Sequence, residues 1–163
     1  MGNEHQRTSE AHWLDEREER AWRALQRMQL RLTGLLARDL AATSALSYPD
    51  YLVLVALTDS PDGRLRLFQL GAALGWEKSR VSHQVARMSR RGLVGKEECL
   101  ADRRGAYVAV TKQGRKAIES AAPRHVETVR RFFVDRLTRS QLDALGDAAE
   151  TVLTGLVEED PDR

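Results

Sequence analysis

Residues 74–94 read "LGWEKSRVSHQVARMSRRGLV". On a helix drawn from Lys78 to Arg91, the apolar side chains Val81, Val85 and Met88 share one face, and Ser79, Arg80, His83, Arg87 and Arg90 occupy the opposite one. Gly92 supplies the stop, and Glu77 or Trp76 has to serve near the N-cap, where serine or threonine is the usual choice. Just upstream, "RLRLFQLGAALGW" gives a brief extended piece at Arg64 to Leu67 and then a helix ending at Gly75. Two helices joined by a tight glycine turn, the second apolar inside and cationic outside, form a helix-turn-helix.

Outward from this unit the pattern continues. "LVGKEECL" and "AYVAVT" are apolar-rich runs of strand length joined by "ADRRG", a hairpin directly after the basic helix. Helix, helix and hairpin together describe a winged helix. On the N-terminal side, "LSYPDYLVLVALTDSP" offers Ser47 as N-cap, Pro49 in the first turn and an apolar run from Tyr51 to Leu57 that stops before Pro61 and Gly63. Before it, Trp13, Trp22, Leu25, Met28, Leu32, Leu35, Leu36 and Leu40 recur at three- and four-residue steps across residues 12–43, a long amphipathic helix.

After the hairpin a helix from Lys112 carries Ile118, Ala121, Val126, Val129, Phe132 and Phe133, with Pro123 expected to kink or split it near Ala122. A last helix restarts at "LTRSQLDAL", with Thr138 and Gln141 as a capping box and an apolar stripe at Leu142, Leu145, Ala149, Val152, Leu153 and Leu156. Long amphipathic helices at both ends cannot bury their apolar faces on so small a module. They need each other and a second copy. The fold class is therefore mainly α with a small β-hairpin wing: a winged helix-turn-helix plus a helical dimerisation region built from the N- and C-terminal helices. The expected division is a disordered arm (1–11), a dimerisation helix (12–46), the winged helix-turn-helix (47–111, basic helix about 78–91, wing about 94–110), dimerisation helices (112–157) and a tail (158–163).

Charge is distributed unevenly. Residues 1–63 hold 7 basic and 10 acidic side chains, residues 64–116 hold 13 and 4, and residues 117–163 hold 6 and 10, so a +9 centre lies between flanks of −3 and −4. A polyanion partner confined to the centre fits this balance, as does a solvated cationic face. No apolar run approaches the ~20 residues of a membrane span, and the start "MGNEHQRTSEAHW" lacks a secretory layout, so the expectation is a cytoplasmic protein without membrane contact. No nucleophile, base and orienting group form a recognisable motif and no glycine loop cradles phosphate, so no enzyme and no cofactor are expected.

These residues resemble the MarR-type winged-helix transcription regulators. The resemblance rests on Leu74 to Val94 and equally on "DRRGAYVAVTKQGRK" (Asp102 to Lys116), similar to the family's wing pattern of aspartate, any residue, arginine, then threonine and glycine opening the next helix. It extends from about residue 12 to residue 157. Val110 stands where leucine is usual, and Phe68 near the N-cap of the third helix, where serine or threonine is commoner. The resemblance implies a homodimer on a pseudo-palindromic double-stranded DNA operator, a repressor relieved by a small aromatic or phenolic ligand. A winged-helix module that uses its basic face on an acidic protein is the alternative.

For the DNA reading, Lys78, Ser79, Arg80, Ser82, His83, Arg87 and Arg90 form the recognition surface. Arg80, near the helix start, is the choice for a base edge, with a phosphate contact or a solvated charge as the alternatives. Ser79 and Ser82 suit DNA or their own backbone, and His83 suits DNA or solvent. Arg87, Arg90 and Arg91 suit phosphates or nothing specific. At the wing tip, Asp102 can hold Arg104, which the resemblance offers to the minor groove, and Arg103 suits phosphate or solvent. Trp22, Tyr48, Tyr51 and Trp76 are a candidate effector pocket or simply core. His5, His12, His83 and His125 have no i, i+4 pair, so no metal site is assigned. Cys99, the single cysteine, lies beside Glu97 and Glu98 and reads as a small packed residue, with redox sensing as the alternative.

Overall fold

The computed structural model describes residues 12–98 and 106–159. Its elements run α1 (Glu16–Thr43), α2 (Tyr48–Asp59), β1 (Arg64–Arg66), α3 (Leu67–Leu74), α4 (Lys78–Arg90), β2 (Val94–Glu98), β3 (Ala106–Val110), α5 (Lys112–Phe132), a short 3-10 turn (Val134–Arg136) and α6 (Arg139–Glu159).

Capping chemistry sets most of these boundaries. Asp15 Oδ1 accepts from the amides of Arg17 and Glu18, and Glu18 Oε2 accepts from the Asp15 amide, all at 2.8 Å, so α1 begins at Glu16 rather than at residue 12. Ser47 caps α2 as the sequence indicates, with Pro49 in the first turn. The third helix starts behind Arg66, whose amide donates to Gln69 Oε1 at 2.9 Å. The N-cap is thus Arg66, two residues before Phe68, which is exposed. Gly75 and Gly92 take positive φ after α3 and α4, where a side chain would be strained.

The winged helix is built around α2. This helix is apolar on all sides, and Val53, Leu54 and Leu57 are fully buried among Leu70, Val81, Val85, Met88, Val94, Val108 and Ile118. Each such side chain contributes about 1.5–3 kcal/mol through loss of contact with water. The hairpin is present in antiparallel register, with Val94 opposite Val110 and Glu97 opposite Tyr107. β1 joins it as a third strand on the far side of β3, in the order β1-β3-β2.

Thr111 ties the wing to α5. Its hydroxyl donates to the Gly92 carbonyl at 2.6 Å and accepts from the Gly114 amide at 2.9 Å, joining the exit of α4 to the start of the next helix. A Cβ on Gly114 would collide with the Leu93 carbonyl, which explains the glycine in "TKQG".

Of the kink or split expected at Pro123, the split is corrected. α5 runs unbroken through Pro123. Proline removes one amide donor and crowds the preceding turn, but the helix is pinned on both sides of it. Ile118 and Ala121 are buried before it, and Thr128 after it donates to Asp39 Oδ2 of α1 at 2.8 Å. Arg124 adds an ion pair to the same carboxylate at 3.1 Å.

The ends of the chain behave differently from the middle. α1 buries only Leu36 and Leu40 of its 28 residues. α6 starts on the expected Thr138–Gln141 capping box, yet Leu142, Val152, Leu153 and Leu156 all face solvent. Among the described residues no single helix is long and apolar enough to cross a membrane.

Candidate nucleic-acid interface

The outward face of α4 carries Lys78, Ser79, Arg80, His83, Arg87 and Arg90, all exposed, with Ser82 half-buried beside them. Val81, Val85 and Met88 point the other way and are at most 1% exposed, so the division read from periodicity is the division in space. The start of this helix runs against ordinary helix electrostatics. Glu77 at the N-cap makes no side-chain capping bond, and the first turn holds no acidic residue but does hold Lys78 and Arg80. Lys78 and Arg80 thus add positive charge at the end of the helix where its first amides point outward. A cation misplaced on the helix dipole costs about 0.3–1 kcal/mol, and an anionic partner there reverses the sign.

The far end of α4 is anchored from inside. Asp50, fully buried in the first turn of α2, accepts from Gln84 Nε2 and from Arg91 Nη1, each at 2.6 Å. Its Oδ2 also accepts from the Ser47 amide at 2.8 Å. Burial alone would push this carboxyl up, but the hydrogen bonds from Arg91 and Ser47 and the Arg91 charge outweigh it, and the pKa lies below the ordinary value. Arg91 Nη2 donates onward to the Ala45 carbonyl between α1 and α2. The arginine expected to meet phosphate or nothing specific is therefore occupied by an internal pair. Gln84 and Asp50, absent from the sequence reading, complete it. The "SYPD" capping box signals Asp50 as a cap, but nothing local signals its long-range partners.

The four aromatic residues separate into different environments. Tyr51 is buried and Tyr48 half-buried, and both rings pack on His125 of α5, with centroids at 4.3 and 6.2 Å. Burial draws the His125 pKa below the ordinary imidazole value, with the Asp39 charge opposing. Trp22 stands on α1, about half exposed. Trp76 leaves this group: the Arg80 guanidinium lies 4.2 Å above its ring centroid.

A second cationic patch was not singled out in the sequence. Arg64 and Arg66, two apart on β1, project to the same side and both stack on Tyr107 of β3, at 5.0 and 4.9 Å. Glu97 of β2 holds Arg64 at 3.0 Å and raises its pKa further. The period-two spacing in "RLR" is the signal that marks them. Asp102, Arg103 and Arg104, with Cys99, lie outside the described residues, as do the expected N-terminal arm and the end of the tail.

Comparison with known proteins follows the same lines. A sequence profile described as the MarR family matches residues 44–105, the winged helix up to the wing. The transcriptional regulator HosA of Escherichia coli is 33% identical over 96 residues, spanning 59% of this chain and 69% of HosA. Among solved structures, AbsC of Streptomyces coelicolor, a MarR family transcriptional regulator, superposes with a TM-score of 0.83 at 37% identity, over 90% of this chain and 98% of AbsC. Sco3205 from the same organism, solved in complex with DNA, gives 0.85 at 35% identity over 91% and 92%. A winged helix with a cationic outward helix, matched along nearly its whole length by such relatives, identifies this chain as a member of the MarR family of DNA-binding transcription regulators.

Proposed function

We propose that this regulator works as a homodimer that sets its two α4 helices into successive major grooves of a pseudo-palindromic operator. The observation that carries the dimer is α6, 21 residues long, whose apolar stripe Leu142, Val152, Leu153 and Leu156 is solvent-exposed in the single chain, together with α1, which buries only Leu36 and Leu40. Exposed apolar area of this kind calls for a partner, and a two-fold axis makes one surface complementary to itself. Residues 12–46 and 112–157 then serve dimerisation and 47–111 DNA contact.

On the DNA side, Arg80 meets a base edge, Lys78, Ser79, Ser82 and His83 adjoin it, and Arg87 and Arg90 follow the phosphates. Arg104 enters the minor groove, steadied by Asp102, with Arg103 toward phosphate. That Sco3205 was solved in complex with DNA supports DNA as the partner of this fold.

Binding of this kind at a cytoplasmic operator represses transcription by occupying it, and a small aromatic ligand relieves it. Two structural relatives support the ligand class: BpsR of Bordetella bronchiseptica, regulated by 6-hydroxynicotinic acid, and CouR of Rhodococcus jostii, bound to p-coumaroyl-CoA. In this chain Tyr48 and Tyr51 sit where α2 meets α5, between the helical ends and the DNA-binding unit. Sedimentation with and without a labelled operator tests the whole reading: a dimer should bind one duplex, and its affinity should fall by orders of magnitude from about 50 to 200 mM salt. A monomer, or affinity independent of salt, would overturn it.

A further inference from the structure

Trp76 occupies an unusual place for an indole. It lies in the turn between α3 and α4, immediately before the N-cap Glu77, and its amide donates to the Gly71 carbonyl at 2.9 Å. The backbone beneath it is tightly fitted, because a Cβ on Gly71 would stand 3.0 Å from the Trp76 carbonyl oxygen and 3.5 Å from Val81. Trp76 and Val81 hold the N′ and N4 positions of α4, where apolar partners staple a helix entry, and both belong to the core or its packed margin. The indole is thus fixed on the protein side. On the other, it carries the Arg80 guanidinium at 4.2 Å.

We propose that Trp76 is a specificity-determining positioning residue: its ring is the platform that holds the Arg80 guanidinium in one plane for bidentate pairing with a guanine edge. The proposal rests on the reading that Arg80 meets a base.

The physical grounds are these. A solvent-exposed arginine at the first turn of a helix samples many rotamers, and ordering it on binding reduces affinity. Stacking on an aromatic face uses the π surface of the guanidinium, while its N–H donors lie in the plane and remain presented at the edge. Guanine O6 and N7 require two such donors side by side, so a guanidinium already confined to a plane loses less freedom on pairing. Lysine cannot substitute, because a point charge on a flexible stem has neither the plane nor the fork. Tryptophan gives the strongest cation–π attraction among aromatic residues, and phenylalanine keeps the geometry with a weaker one.

A double-mutant cycle on the full-length protein tests it. Wild type, Trp76→Leu, Arg80→Ala and the double variant are measured on a selected operator and on a scrambled duplex of equal length, with Trp76→Phe as the conservative control. Trp76→Leu should weaken operator binding about threefold to tenfold, leave the scrambled duplex and the salt slope unchanged, and add no further loss in the Arg80→Ala background. Trp76→Phe should recover most of the loss. Equal losses with and without Arg80, or equal losses on both duplexes, would make Trp76 a packing residue and overturn the proposal. The parent reading fails separately: Arg80→Ala lowering both duplexes alike removes the base contact, whatever Trp76 does.

Discussion

The Asp50 carboxylate and the Arg91 guanidinium, 41 positions apart in sequence, meet at 2.6 Å, with the aspartate fully buried and the arginine at the edge of solvent. Through that pair and Gln84, the end of α4 is fastened to the first turn of α2 and, by the Ala45 carbonyl, to the α1–α2 junction. The orientation of α4 is thereby set by a polar clamp as well as by apolar packing.

Removing the buried member should cost most. Asp50→Ala leaves Gln84, Arg91 and the Ser47 amide without their acceptor, and unfolding in urea should show a loss of about 3 kcal/mol, the scale for breaking a buried pair. Arg91→Ala should cost clearly more than an exposed ion pair, because it strands the Asp50 charge. If both variants unfolded like wild type, the clamp would be ornamental.

A methyl group at Gly114 tests the wing's attachment. Gly114→Ala should force the start of α5 away from the Leu93 carbonyl and destabilise the fold by about 2 kcal/mol or more, since backbone is the obstacle. Gly95→Ala, in β2 with nothing within 4 Å of the added Cβ, should be neutral or slightly stabilising. Thermal unfolding of the two variants side by side reads the contrast.

His125 gives a pH dependence with a definite sign. Its pKa is drawn down by burial in the folded protein, so the unfolded chain binds the proton more readily. Its contribution should be fully present above the ordinary imidazole value of about 6.5, and decline as pH falls through the window between that value and the lower folded one. His125→Phe should flatten this part of the stability profile, just below the ordinary imidazole value of about 6.5. A wild-type profile unchanged by the substitution would dismiss the contribution.

Charge on the α6 stripe probes assembly. Leu153→Asp with Leu156→Asp should leave the helical circular dichroism of the winged helix in place, yet shift sedimentation from dimer to monomer and abolish operator binding. A doubly substituted chain that still sedimented as a dimer would move the interface elsewhere.

The elements legible in the sequence were those with local causes. The α4 faces follow from a 3.6-residue period, α2 and α6 begin on capping boxes, and Gly75 and Gly92 end their helices because their backbone requires positive φ. What escaped is what tertiary contact decides. Pro123 reads as a kink or a split because local propensity cannot see Asp39 of α1 accepting from Thr128 of α5 just beyond it. Arg91 looked like its neighbours Arg87 and Arg90, and only the fold brings Asp50 against it. Arg64 and Arg66 were read as an extended piece, whereas Tyr107, opposite Arg66 in the register, makes them a patch. Trp76 was grouped by residue type with Tyr48 and Tyr51, and its position beside Arg80 separates it from them.

The wing carries its own test of sign. Asp102→Ala removes a negative charge from the segment proposed to meet DNA, so simple electrostatics anticipates tighter binding. If Asp102 steadies Arg104, binding weakens instead, and titration of a labelled duplex decides between the two.

The central claim, a dimer that places two α4 helices on a symmetric duplex, is tested most directly by binding the purified protein to a random duplex library and sequencing what is retained. The expected result is an enriched inverted repeat with half-sites about 10 bp apart, containing a guanine whose preference disappears in Arg80→Ala. Retention of no sequence above the input at low salt, or enrichment of a motif without two-fold symmetry, would contradict it.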